Sequence, residues 1–192
     1  MRGAGRHEDE AVRLREENDR LRKAVRELSI LNDIATAINS TMSVDRILDL
    51  TLQKCLKAMD LEQGAVMLLN RPDTENPFKT MVRRGDSRAD ALPFRLDTQL
   101  SGWMIKNQKP LMINNFAQES PIRVSPHEPI PIRSLLSVPL LVKGRMIGIL
   151  SVFNKKQGGF TEDEQRMLAI IGSQSAPGLA PARLRAEEQP LR

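Results

Sequence analysis

Apolar residues fall into three spacing patterns along the chain. Near the N-terminus, Leu14, Leu21 and Leu28 recur every seven residues, which predicts a helix from about Glu10. With these leucines at heptad position d, Asn18, Val25 and Asn32 fall at position a. Glu10 with Arg15, and Glu17 with Arg22, are then g-to-e′ pairs that attract across a parallel dimer. A buried Asn at position a fixes two strands in register, so Leu14, Asn18, Leu21, Val25 and Leu28 are the expected dimer seam. A single amphipathic helix lying on its own domain accounts for the same pattern. The helix is expected to continue through Leu31, Ile34 and Ile38 and to stop near Asn39-Ser40-Thr41. Ser43 is placed to cap a second helix, with Asp45 in its first turn and an apolar stripe from Ile47 and Leu48 through Leu52, Cys55, Leu56 and Met59.

Beyond Gly64 the pattern turns to strands. Ala65–Leu69 and Phe78–Arg84 flank a polar loop, residues 85–92 read as a second loop, and Pro93–Leu96 as a short strand. A helix then starts at Asp97 or Thr98 and carries Leu100, Trp103, Met104 and Ile105, and Pro110 introduces the strand Leu111–Ile113. Residues 116–133 hold Pro121, Pro126, Pro129 and Pro131 and read as a long loop. Leu135–Val142 and Met146–Phe153 form a hairpin across Lys143-Gly144, where Gly144 supplies a positive φ; Pro139 needs a bulge or a position that donates no ladder bond. Thr161 and Glu164 make a capping box before a final helix, which Pro177, Gly178 and Pro181 are expected to end. Terminal helices around antiparallel strands predict an α+β fold with those helices on one face of the sheet. The expected division is a coiled-coil helix over 1–27, one domain over 28–176 and a Pro-containing tail over 177–192.

Composition narrows the function classes. The 192 residues are 40% hydrophobic and 28% charged, enough for a folded core. The formal charge is +5, but its signs alternate, and the aromatic strands that stack RNA bases are missing: there are five Phe, one Trp and no Tyr. No nucleic-acid or membrane partner is expected, no apolar run approaches the roughly 20 residues of a bilayer span, and the default location is the cytoplasm. The single cysteine, Cys55, excludes an internal disulfide framework and a multi-cysteine metal site. It reads as a buried small hydrophobe. His7 and His127 are too few for a histidine-based metal cluster, and no Ser/His/Asp set or phosphate-cradling loop is evident, so no catalytic role is expected.

Several segments, in order, resemble the GAF family: Leu31–Ile38 followed by Ile47-Leu48, the strand Gly64–Leu69, Gly102-Trp103 through Asn114-Asn115, the hairpin ending Gly148-Ile149-Leu150, and Phe160-Thr161-Glu162. The resemblance covers residues 28–176. It implies a profilin-like, six-stranded antiparallel sheet with terminal helices on one face and a covered small-molecule pocket on the other, in a sensor or dimerising relay attached to a downstream signalling partner. Cyclic nucleotides, bilins, haem and amino-acid-like metabolites are ligands in that family; no particular cofactor is required here, and a cyclic nucleotide or other small metabolite is one class to test. Asn154, Lys155, Phe160, Asp163 and Glu164 are similar to the signature of cyclic-nucleotide-binding GAF domains, in which a lysine–aspartate pair braces the fold. The Phe-to-Asp spacing here is one residue short, and a capped helix start explains the segment equally.

Two functions stay open: a ligand-sensing regulatory domain, and a dimerisation module without a physiological ligand. For the first, a cleft is expected between the sheet and the 116–133 loop. Its polar wall is drawn from Asn114, Asn115, Arg123 and Arg133, and its floor from Trp103, Ser137 and the 146–153 strand. The second gains if Ile122, Val124, Ile130 and Ile132 fill that face.

Overall fold

The computed structural model describes residues 4–39, 44–69, 78–84, 87–89, 94–122 and 132–188. In chain order the elements are α1 (Ala4–Asn39), α2 (Val44–Met59), β1 (Leu61–Leu69), β2 (Phe78–Arg84), β3 (Ser87–Ala89), α3 (Phe94–Asn107), β4 (Leu111–Ile113), α4 (Phe116–Glu119), β5 (Leu135–Val142), β6 (Arg145–Lys155) and α5 (Glu162–Glu188). The strands form one antiparallel sheet in the order β3-β2-β1-β6-β5-β4.

The alternation of β5 and β6 places Leu136, Val138, Leu140, Leu150 and Val152 on one face, where they meet the α2 stripe and Leu168, Ile171 and Leu179 of α5. Each fully buried leucine here, such as Leu52, contributes about 1.5–3 kcal/mol of transfer free energy. Gly172 lets α5 come close: a Cβ there would meet Leu140 and Val138 at 3.2 Å. Thr51 donates back to the Ile47 carbonyl and touches Ser175 of α5 at 3.2 Å, so the few polar groups between the two helices are paired. The hairpin turns through Lys143 (φ 49°) and Gly144 (φ 75°), the two positive values that a two-residue turn of the hairpin type requires. Pro139 lies beyond the last β4–β5 pair, Leu111 with Ser137, so one edge of β5 has no strand partner there. The register slips by one residue immediately afterwards, between Leu140 and Leu141.

Four expectations need correction. The stretch 116–133, read as a long loop, opens with the one-turn helix α4. Phe94–Leu96 is the first turn of α3 rather than a strand, and a three-residue strand, Ser87–Ala89, lies within the stretch read as loop. The residues from 177 are not a tail up to Glu188, because α5 runs through Pro177, Gly178 and Pro181. Each proline removes one helical hydrogen bond, yet Ala176 and Leu179 are buried in the core beside them, and that packing holds the helix. The proposed cap Ser43 lies outside the described residues.

Candidate functional site

The second face of the sheet carries a separate core. Ala65 and Met67 of β1, Ile149 and Phe153 of β6 and Leu135 of β5 point into it, and Leu100 and Met104 of α3 lie over them. Cross-strand register sets Ala65, Ser151 and Ser137 in one row of small side chains. Phe153 and Leu135 flank that row on one side, Met67 and Ile149 on the other. The Ser137 and Ser151 hydroxyls are 2.7 Å apart and fully buried. One O–H of the pair serves the other oxygen, which leaves a second proton unused within the pair. Gln63 shares this face by strand alternation, pairs directly with Phe153 and is only 3% exposed. Its side chain makes no hydrogen bond among the described residues. Gln63, Ser137 and Ser151 therefore form a polar island in an apolar layer.

Of the residues expected to line this face, Ser137 is on the floor and Trp103 packs at the margin with Phe116 and Ile132. The others do not converge on it. Asn114 brackets residue 160: its Nδ2 donates to the Phe160 carbonyl at 3.0 Å and its Oδ1 accepts from the Phe160 N–H at 2.6 Å. Asn115 caps α4, accepting from the Ala117 N–H at 3.1 Å. Arg133 reaches the Glu62 carboxylate at 2.7 Å, and Asn154 Nδ2 donates to the other oxygen of that carboxylate at 3.0 Å. The Arg133 guanidinium, with help from Asn154 and Lys156, holds the Glu62 carboxyl below the ordinary glutamate value. Asn154 Oδ1 also accepts from the Arg133 N–H at 2.8 Å. These contacts tie strand ends together, so the expected polar wall of Asn114 and Arg133 is a brace at the rim. Ile122 is buried on this face and Ile132 packs against it. Arg123, Val124 and Ile130 lie outside the described residues. Sequence reading missed Glu62, Gln63 and Ser151.

The cyclic-nucleotide-like signature residues form a second brace. Lys155 Nζ bonds to Glu164 at 2.7 Å and to the Gly159 carbonyl at 2.9 Å. Glu164 also accepts from the Thr161 N–H at 3.0 Å, and Thr161 Oγ1 accepts from the Glu164 N–H at 3.3 Å, which closes the capping box. Asp163 instead pairs with Lys23 at 2.5 Å and with Arg166. Lys23 first, then Arg166, holds the Asp163 carboxyl below its ordinary value. The lysine–aspartate brace expected from the resemblance is here a lysine–glutamate brace. The Phe-to-Asp spacing is one residue short, so Glu164 stands where the family's aspartate would.

The helical layer presents a third feature. Leu14, Leu21, Val25 and Leu28 are 60–65% exposed along α1, and Asn18 is exposed among them. Around the helix from this seam, Lys23 and Ile30 face α5. Two open clefts run along the junction. One of about 290 Å³ lies between α1 and α5, and one of about 600 Å³ lies where α1, α2 and the start of α5 meet. Lys54 of α2 reaches across to Asp33 of α1. Cys55 is fully buried on α2, and burial pushes its thiol up to about 12. Among the described residues no helix is long and apolar enough to cross a membrane.

The GAF domain family matches residues 41–180. Among solved structures, the chain is similar to the GAF domain from an Acinetobacter phosphoenolpyruvate-protein phosphotransferase, with 22% identity, a TM-score of 0.63 and coverage of 82% of this chain and 94% of that one. It is similar to the GAF domain of such a phosphotransferase from Coxiella burnetii, with 17% identity, a TM-score of 0.66 and coverage of 85% and 98%. It is also similar to the phycocyanobilin-bound GAF domain of a cyanobacterial phytochrome, with 16% identity, a TM-score of 0.60 and coverage of 83% and 96%. A comparison with curated proteins returned no match. The family match spans well over half the chain and ends on the helix that closes the first core, so the chain belongs to the GAF domain family.

Proposed function

We propose that this chain is the regulatory GAF module of a signal-transduction protein, that it catalyses no reaction, and that it acts as a parallel homodimer joined through α1. One observation carries the reading. The a/d seam of α1 stands exposed while another part of the same helix engages α5. An exposed stripe of Leu14, Leu21, Val25 and Leu28 in water is unfavourable, and a second copy of the stripe removes it from water. The Glu10–Arg15 and Glu17–Arg22 pairs favour the parallel arrangement. A helix with a partner on one side and α5 on another passes a change at either contact to the other. The buried, hard-to-ionise Cys55 argues against a thiol nucleophile.

Light scattering on the whole chain at tens of micromolar, a working range for short coiled coils, is expected to give the dimer mass. Leu21→Lys with Leu28→Lys should give a monomer with unchanged circular dichroism in the strand region. A monomeric wild type overturns the reading. Asn18→Leu should strengthen association and broaden the distribution of oligomers, which analytical ultracentrifugation resolves.

The polar island on the second sheet face favours a second reading, in which the module senses a small metabolite there. Two hydroxyls and a buried amide without a partner among the described residues are the kind of groups a ligand satisfies. A thermal-shift screen with cyclic nucleotides, purines, haem and amino acids tests it, because a ligand that prefers the folded state raises the melting temperature. Stabilisation by one of them that Ser137→Ala abolishes supports sensing on this face.

A further inference from the structure

The larger cleft in the helical layer lies on the opposite side of the sheet from the second core. Its volume, about 600 Å³, falls in the range of small-molecule sites. Four cations line it from two helices, Lys23 and Arg26 of α1 and Lys54 and Lys57 of α2, against two carboxylates, Glu27 and Glu164. Glu164 is already engaged by Lys155, Lys23 by Asp163, and Lys54 by Asp33. Arg26 and Lys57 form no ion pair among the described residues, so they leave one positive charge in excess over Glu27. The Lys23 and Lys54 pairs are half-exposed, and exposed pairs of this kind are weak enough to exchange partners. Ile30, Ala58 and Met167 add an apolar wall.

We propose that this cleft binds a small organic phosphate. Arg26 offers a planar fork of donors that matches phosphate oxygens two at a time, and Lys57 offers a point charge from the facing helix. The cleft is larger than a bare phosphate ion needs, and the apolar wall gives the organic part a surface. The bound ligand joins α1 to α2 and α5, adding to the half-exposed Lys23–Asp163 and Lys54–Asp33 pairs and the packing of Ile30. The cleft lies away from the exposed seam of α1, so its occupancy does not require dimerisation, which light scattering tests separately.

The test is an NMR titration of the whole 192-residue chain with adenosine monophosphate and, separately, with inorganic phosphate. Adenosine monophosphate is expected to shift amides in 23–30, 54–58 and 161–167 and to bind more tightly than phosphate. Added salt should weaken it. The double variant Arg26→Gln, Lys57→Gln should bind at least tenfold more weakly while its melting temperature stays within error of wild type, since both side chains are exposed. Shifts confined to 135–139 and 149–153, no shifts at all, or unchanged affinity in the double variant would overturn the site. Equal affinity for phosphate and adenosine monophosphate would overturn the role of the apolar wall.

Discussion

The two faces of the sheet are built on the same strands but hold their helices in different ways. On the α2/α5 face the inward side chains of β1, β5 and β6 are Val, Leu and Ile, and the polar groups Thr51 and Ser175 sit between helices, each donating to a carbonyl of its own helix. On the α3 face the central row is Ala65, Ser151 and Ser137, with Gln63 beside it. The first arrangement maximises apolar burial. The second places hydrogen-bonding groups where packing alone would put aliphatic ones, and groups that weaken a core persist in native proteins where they serve something else. The difference assigns stability mainly to one face and leaves the other free to be adapted.

Substitutions can break this contrast. The largest effect is expected for Leu52→Ala, which empties a fully buried position on the α2/α5 face and should cost about 2–5 kcal/mol in urea denaturation. A loss under about 1 kcal/mol would mean that the face tolerates collapse and is not the main source of stability. On the other face, Ser137→Ala or Ser151→Ala alone should cost about 1–3 kcal/mol by orphaning the remaining hydroxyl, and the double change should cost less than the sum. Strict additivity would show that the pair is not a unit. The smallest effect belongs to α1. Lys23→Ala should leave global unfolding unchanged but speed amide exchange along α1. Lowering the pH should likewise reduce the protection factors along α1, taken against the slower intrinsic exchange at that pH. The Asp163 carboxyl is held below its ordinary value by Lys23, so the contribution of that pair is present above the ordinary aspartate range. It disappears as the pH falls through the depressed folded value.

What sequence reading could reach depended on whether a residue's partner was close in the chain. The capping box of Thr161 and Glu164 and the turn at Lys143-Gly144 were legible because local chemistry decides them. Ser151 was hidden by the slip at Leu140/Leu141: counting back from Val142 opposite Arg145 sets Ser137 against Leu150, and only the bulge brings it to Ser151. The path of α5 past its two prolines was illegible because distant packing around Leu179 overrides a local penalty. The three residues of β3 carry no pattern of their own and are a strand only because β2 lies beside them. Arg133 was expected in the polar wall of a cleft; its actual partner Glu62 lies 71 positions away, and nothing in the spacing joins them.

The Lys155–Glu164 brace has a mechanical consequence. It welds the end of β6 to the first turn of α5, with both side chains mostly sheltered from water, whereas α1 meets α5 through the half-exposed Lys23–Asp163 pair and, among the described residues, the partly buried Ile30. Stiff and compliant links in series share a load but not a displacement: nearly all the movement occurs in the compliant one. A twist applied along α1 is therefore absorbed at the α1–α5 seam, and the strand-to-helix joint moves as a rigid piece.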